Sequence, residues 1–287
     1  MKSNKIVETQ NTDKNIARLA SQRQLYNDIE VLDKINLCFS VIIPLGFAAI
    51  QEIAGWDWAK VVSGCVSIAM LVLSLAISSQ GKAKKTLAAS IQQEFDIDVF
   101  QMPWDNKLFG KRKNLNSEIA KYSKKILNDD RKKNKLYNWY RTEVDSFPLN
   151  KAILVCQKEN FSWDAGLRKR YRIFALVFVA GIIIVSVGIS LLKGDSAQNL
   201  LLRFVIILPA LRWFVNVISG LNDDLKRMES LENVLYSAED KQMIDLQFIQ
   251  KEIFENRKSV IKIPDWFYNI FRDNDEDRER RSAELSK

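Results

Sequence analysis

Apolar residues gather into four long runs, and between them the chain is polar and densely charged. Three runs hold no charged residue: Ile35 to Gln51 (17 residues), Val61 to Gly81 (21) and Ile173 to Leu192 (20). About 20 apolar residues, rising 1.5 Å each in a helix, cross a hydrocarbon core of roughly 30 Å. Helices of soluble proteins keep a charged face over such a length, so these runs are read as membrane helices. The fourth run, Leu200 to Leu221, is equally long but carries Arg203 near one end and Arg212 close to its middle. Two runs, a long polar stretch and two more runs predict an all-α membrane protein: four transmembrane helices in a 2+2 arrangement with a mostly helical cytoplasmic domain.

The polar parts have their own periodicity. After a disordered start, Ile16, Leu19, Ala20, Arg23, Tyr26 and Ile29 recur at three- and four-residue spacing, predicting a helix within 1–34. Lys82 to Phe95 should prolong the second span, and Ile97 to Met102 alternates as a short strand would before Pro103 ends it. Asn116 to Asn128, Arg131 to Val144 and Ala152 to Asn160 have helical spacing, and from Trp163 a helix is expected to run unbroken into the third span. Asn222 to Lys258 should continue as helix beyond the fourth span, followed by an aromatic knot of Pro264, Trp266, Phe267 and Tyr268 and a solvated tail. The expected organisation is an N-terminal helix (1–34), spans one and two (35–81), a middle domain (82–172), spans three and four (173–221) and a helical tail (222–287).

Charge orients this plan. Residues 80–172 hold 21 Lys and Arg against 11 Asp and Glu, while Glu52 to Lys60 and Lys193 to Asn199 carry almost no basic excess. The positive-inside tendency places the middle domain and both termini in the cytoplasm and the two short connections outside, with Trp56 and Trp58 suited to an interfacial belt. No cleavable signal peptide is expected from the polar first 34 residues. Residues 222–287 hold 12 basic and 16 acidic side chains, so tail and middle domain attract each other.

Composition removes much chemistry. The chain has no histidine, which excludes His-dependent triads, bases and metal ligands. Cys38, Cys65 and Cys156 have no paired spacing and suit packing in a reducing compartment. There is no phosphate-cradling glycine loop, CxxC pair, HExxH or nucleophile elbow. No enzyme, cofactor or metal is expected.

Small and polar residues inside the spans make the remaining signals. Ser63, Ser67, Ser74 and Ser78 share a narrow arc of the second span, which suits close helix packing and would equally suit a wall facing water. Gly181 and Gly188 share one face of the third, again favouring tight packing. Arg212, Asn216, Ser219 and Asp223 fall on one face of the fourth span, with Pro209 a turn before. In a multimer that face would line or gate an aqueous pore, Arg212 favouring anions. Alternatively the span is shifted, and Arg212 snorkels to a surface or pairs with a carboxylate. Lys132 to Arg172 interleaves aromatics with bases: Trp139, Tyr140 and Arg141, then Trp163, Arg168 and Arg170. Arginines beside stacking rings suit an anionic nucleotide, and a juxtamembrane LRKRYR run equally suits anchoring to anionic headgroups. Long nucleic acid is not expected as a partner.

Several short motifs carry a resemblance. They are Gln10-Asn11, Ile16, Leu19-Ala20, Gln22-Arg23 and Leu25-Tyr26; Pro103-Trp104 and Gly110; Trp139-Tyr140; Cys156-Gln157 with Asn160; Trp163-Asp164, Leu167-Arg168 and Tyr171; and Gln250, Glu252-Ile253-Phe254, Arg257 and Pro264-Asp265-Trp266. With the 2+2 spacing they resemble the SMODS-associated four-transmembrane effectors of bacterial cyclic-oligonucleotide antiphage systems (CBASS), over nearly the whole chain. Lys158-Glu159 departs from the pattern, where a more basic or polar pair is expected. The resemblance implies a pore-forming effector of the bacterial inner membrane that binds a cyclic oligonucleotide through its cytoplasmic parts, assembles as a homo-oligomer in the lipid bilayer and halts the infected cell. It carries over no catalytic residue. The rival from another class is a membrane-anchored scaffold or sensor whose spans only tether a partner-recruiting domain.

Overall fold

The computed structural model describes residues 4–54, 57–161, 165–239, 246–259, 261–264 and 266–270, and every regular element among them is helical. The chain is ordered from Asn4, where disorder was expected: the Asn4 side-chain amide donates to the carbonyls of Val144 (2.8 Å) and Phe147 (3.1 Å), anchoring α1 (Ile6–Gln10). Next, α2 (Asp13–Leu37) continues without a break through a π-helical turn, Cys38–Ile42, into α3 (Ile43–Ala54). The turn has a local cause. Pro44 has no N–H to give the Ser40 carbonyl, and Ile43 N–H reaches back five residues to Cys38, so the backbone widens where its ladder is broken. N-terminal helix and first span are therefore one rod.

The second span is the first half of α4 (Asp57–Val99), 43 residues long, which returns from the membrane into the polar half of the molecule. There α5 (Asn106–Phe109), α6 (Asn116–Leu127), α7 (Asp130–Asn134), a 3-10 turn (Thr142–Ser146) and α8 (Leu149–Phe161) follow. Helix therefore covers only the two ends of the stretch expected from Arg131 to Val144. The long helices α9 (Ala165–Lys193) and α10 (Ala197–Glu239) carry the third and fourth spans, and α11 (Leu246–Ser259) ends the main framework.

The strand expected at Ile97 to Met102 does not form. Residues up to Val99 stay in α4, and the helix closes with Gln101 in the left-handed region (φ 54°) and Met102 N–H bonded to the Ile97 carbonyl at 3.0 Å. That is a Schellman end, with Pro103 just beyond it. The alternation arose because this turn is buried all round: Phe95, Ile97, Val99 and Phe100 all sit inside, and so does Asp96.

Two antiparallel pairs cross the apolar layer, the α2–α3 rod with α4, and α9 with α10. Helix α10 is shared, packing on α9, α4 and α3. Val41, Ala175, Ala210 and Phe214 form their common core, and Val205 approaches Gly64 closely. Outward faces are greasy: Val62, Ile68 and Val72 of α4 and Val177, Ile184 and Leu192 of α9 are exposed. The polar half has one main core, drawn from distant parts of the chain. Ile6, Ile16 and Leu19 meet Phe95 of α4 and Phe100 just beyond it, Ile126 of α6, and Ile153 and Cys156 of α8.

Candidate functional site

Two buried ion-pair clusters bracket the apolar part of α10. At the short-connection end, Gly194 takes φ +61°, which a residue with a Cβ adopts only under strain, and Asp195 N–H closes a Schellman end on the Ser190 carbonyl at 3.0 Å. This turn presents Asp195 to Arg203 (2.7 Å), which also pairs with Glu52, while Lys193 reaches Glu52 at 2.7 Å. The Ser190 hydroxyl and the Arg203 guanidinium hold the Asp195 carboxyl below the usual carboxylate range. Arg203 is buried, and it ties the two short connections together.

At the other end Asp224 is fully buried. It accepts from Arg168 (2.7 Å), Arg227 (2.6 Å) and the Ile261 N–H (2.9 Å), and Arg168 donates onward to the Ile261 carbonyl at 3.0 Å. A strap of residues 261–264 thus crosses α10 at Gly220 and Asp224, where its apolar part ends. Ile261 lies so close to Gly220 that a Cβ there would stand 2.6 Å from its side chain. The aromatic knot follows: Phe267 packs edge-on to Tyr171 at 4.9 Å, and Trp266 meets Phe174. Lys262 pairs with Glu30 of α2 at 2.9 Å. Hydrogen bonds from Lys34 and Lys262 hold the Glu30 carboxyl down at about 2.

From Arg203 to Asp224 the helix advances 21 residues, about 31 Å, which matches a hydrocarbon core of roughly 30 Å. Arg212 is nine residues from the first cluster and twelve from the second, about 13 Å and 18 Å. An arginine side chain reaches roughly 7 Å, so with one cluster at each membrane surface neither surface would be within snorkelling range. The half-buried guanidinium donates to Ser74 Oγ of α4 at 3.4 Å, and the Ser74 hydroxyl is itself spent on the Leu71 carbonyl (2.8 Å). Among the described residues Arg212 has no carboxylate partner, and Asn216, Ser219 and Asp223 continue its face outward as exposed residues.

The serine stripe sits inside the bundle, with Ser63, Ser67 and Ser74 buried. Ser78 joins a chain in which Asn36 donates to it (3.3 Å) and Ser40 donates to Asn36 (3.2 Å). Gly181 and Gly188 differ from expectation: a Cβ at either would meet nothing within 4 Å, so among the described residues no neighbour uses their approach.

The aromatic and basic residues divide. Trp139 (39% exposed) and Arg141 are at the surface, whereas Tyr140 between them is 2% exposed and stacked among Phe95 and Phe100. Its ring offers no face to a ligand. Arg168 is committed to Asp224, Arg170 is half-buried, and Trp163 lies outside the described residues.

What the sequence left unmarked is Asp96. It is wholly buried and accepts from Tyr140 Oη (2.7 Å), Gln250 (2.8 Å) and Arg257 (2.5 Å), and Gln250 is held in turn by Gln93 and Gln157. Gln10 clamps the Tyr140 backbone from the far side, with its side-chain amide bonded to both N–H and C=O. Burial works against the Arg257 charge, but Asp96 beside it prevails, and its pKa stands above the ordinary value. Among the described residues no group of three His, Cys, Asp or Glu side chains could hold a metal.

Four long apolar helices, bracketed by ionic clusters and joined to a folded polar half, define a multi-pass helical membrane protein. The chain belongs to the SMODS-associating 4TM effector domain family, whose model matches residues 4–285, so the resemblance drawn from its motifs is borne out. Over 289 residues, 95% of either chain, it is 24% identical to a protein of Bacillus cereus (strain VD146) described as a probable CBASS effector molecule. No solved structure matches it significantly.

Proposed function

We propose that this chain is a non-enzymatic pore-forming effector of bacterial antiphage defence, opened by a cyclic oligonucleotide and acting by abortive infection. The observation that carries the reading is the mid-membrane position of Arg212 on a polar face that the monomer leaves uncovered. A charge at that depth costs about 2.5–3.5 kcal/mol on insertion scales and considerably more on an isolated helix. Copies of the chain arranged around that face would surround Arg212, Asn216, Ser219 and Asp223 with water and remove the cost. The family and the relative named as a probable CBASS effector support the defence role. The basic excess of residues 80–172 supports an inner-membrane orientation with both termini in the cytoplasm. Trp139 and Arg141, at the surface, keep their proposed part in holding the messenger, with Arg170; Tyr140 and Arg168 are engaged inside the fold.

The test is leakage. Full-length protein in liposomes is expected to release entrapped salt when a member of a panel of cyclic di- and trinucleotides is added, and Arg212→Leu is expected to abolish release while still inserting. A panel that neither binds nor causes release overturns the proposal. Binding without release, with Arg212→Leu indistinguishable from wild type in growth arrest, favours the tethered scaffold instead.

A further inference from the structure

We infer that the conducted species are small inorganic anions, and that Arg212, seated on Ser74 and followed by Asn216, is the site that selects them; this rests on the pore reading above. Within the four apolar spans the ionised side chains are Arg203, held in the first ionic cluster, and Arg212. The spans in α3, α4 and α9 contain no Asp, Glu, Lys or Arg, and α10 has none other between Arg203 and Asp223. The middle of the membrane layer therefore carries a positive charge at Arg212. In an assembly of copies the guanidinium groups form a ring, and a ring of like charge at low dielectric raises the energy of a passing cation and lowers that of an anion. Asp223, on the same face, lies eleven residues away, about 16 Å. At that distance it sits at the mouth, where it acts on the local concentration of ions before they reach Arg212.

The hydrogen bonding fits an anion site. A guanidinium has five N–H donors, and its one hydrogen bond among the described residues, to Ser74, is a long one. Because the Ser74 hydrogen goes to the Leu71 carbonyl, its oxygen is turned to accept from Arg212. The serine steadies the guanidinium without neutralising it. The Asn216 amide, one turn on and exposed, adds uncharged donors. Lipid phosphates cannot satisfy Arg212, because both headgroup layers lie beyond its reach. What arrives must travel through water, and chloride is the probe of that class.

The experiment is a reversal-potential measurement on the full-length protein in planar bilayers under a tenfold KCl gradient, opened with the cyclic nucleotide that causes leakage. Wild type is expected to favour chloride over potassium by about tenfold or more. Arg212→Lys should keep that preference, Arg212→Gln should bring the ratio near unity, and Asn216→Asp should lower it at an intact Arg212. Asn216→Asp also guards against an Arg212 variant that fails to insert. A wild-type current that is cation-selective or unselective overturns the inference and leaves the pore standing, as does an Arg212→Gln ratio equal to wild type. Absence of any wild-type current overturns both.

Discussion

Asp96 is fully buried, holds three hydrogen-bonded partners and has a guanidinium 2.5 Å away. Removing one partner of such a buried pair costs about 3–5 kcal/mol, because the other charge is left in the interior. A hydrogen bond to a charged group contributes about 1.5–3 kcal/mol. Arg257→Met should therefore destabilise the polar half more than Tyr140→Phe, and both more than a change at exposed Trp139. Thermal unfolding in detergent checks that order, and a Tyr140→Phe variant as stable as wild type would contradict it. At this scale the sequence showed Arg212 and hid Asp96. An arginine in an apolar run stands against its background, whereas an aspartate in a segment already rich in charge reads as surface. Arg168 was picked out as a ligand candidate, but its buried pairing with Asp224 was hidden in the same way, within a basic run.

Among the elements, the spans were legible because apolar length alone specifies them. The helix end at Ile97 to Met102 was misread because burial on every side erases the one-faced stripe by which a helix is recognised. The strap at 261–264 has no periodicity at all; it is held by Arg168, Asp224 and Gly220, three residues whose roles exist only in the folded chain. This strap is the direct route from α11, which grips Asp96, to the membrane end of α10. Gly220→Val would push Ile261 away and free its N–H from Asp224. Hydrogen exchange at the Ile261 amide should then quicken by about tenfold, the equivalent of one lost bond. Unchanged exchange would mean that the strap is fixed elsewhere, by the Tyr171 and Phe267 packing or by Lys262 on Glu30.

For the whole molecule, the 2+2 plan was readable from the spacing of runs, but the polar half was not readable as a unit. Its core joins residues 6–20 to 95–156, and α11 closes over α4 from the far end of the chain. Long-range closure of this kind leaves no local mark. The two ionic clusters bear on the bilayer as much as on the protein. Because their spacing follows from backbone rise, it does not adjust to the host lipid, and the molecule carries its own gauge of membrane thickness. A mismatch costs a fraction of a kcal/mol per Å. In phosphatidylcholine vesicles of increasing acyl length, unfolding temperature should peak where the core is near 30 Å and fall on either side, and a flat profile would contradict it. Thicker membranes would draw Arg203 or Asp224 below the headgroups, thinner ones would bare the greasy flanks of α4 and α9, and the chain would accordingly sort to the membrane whose depth it fits.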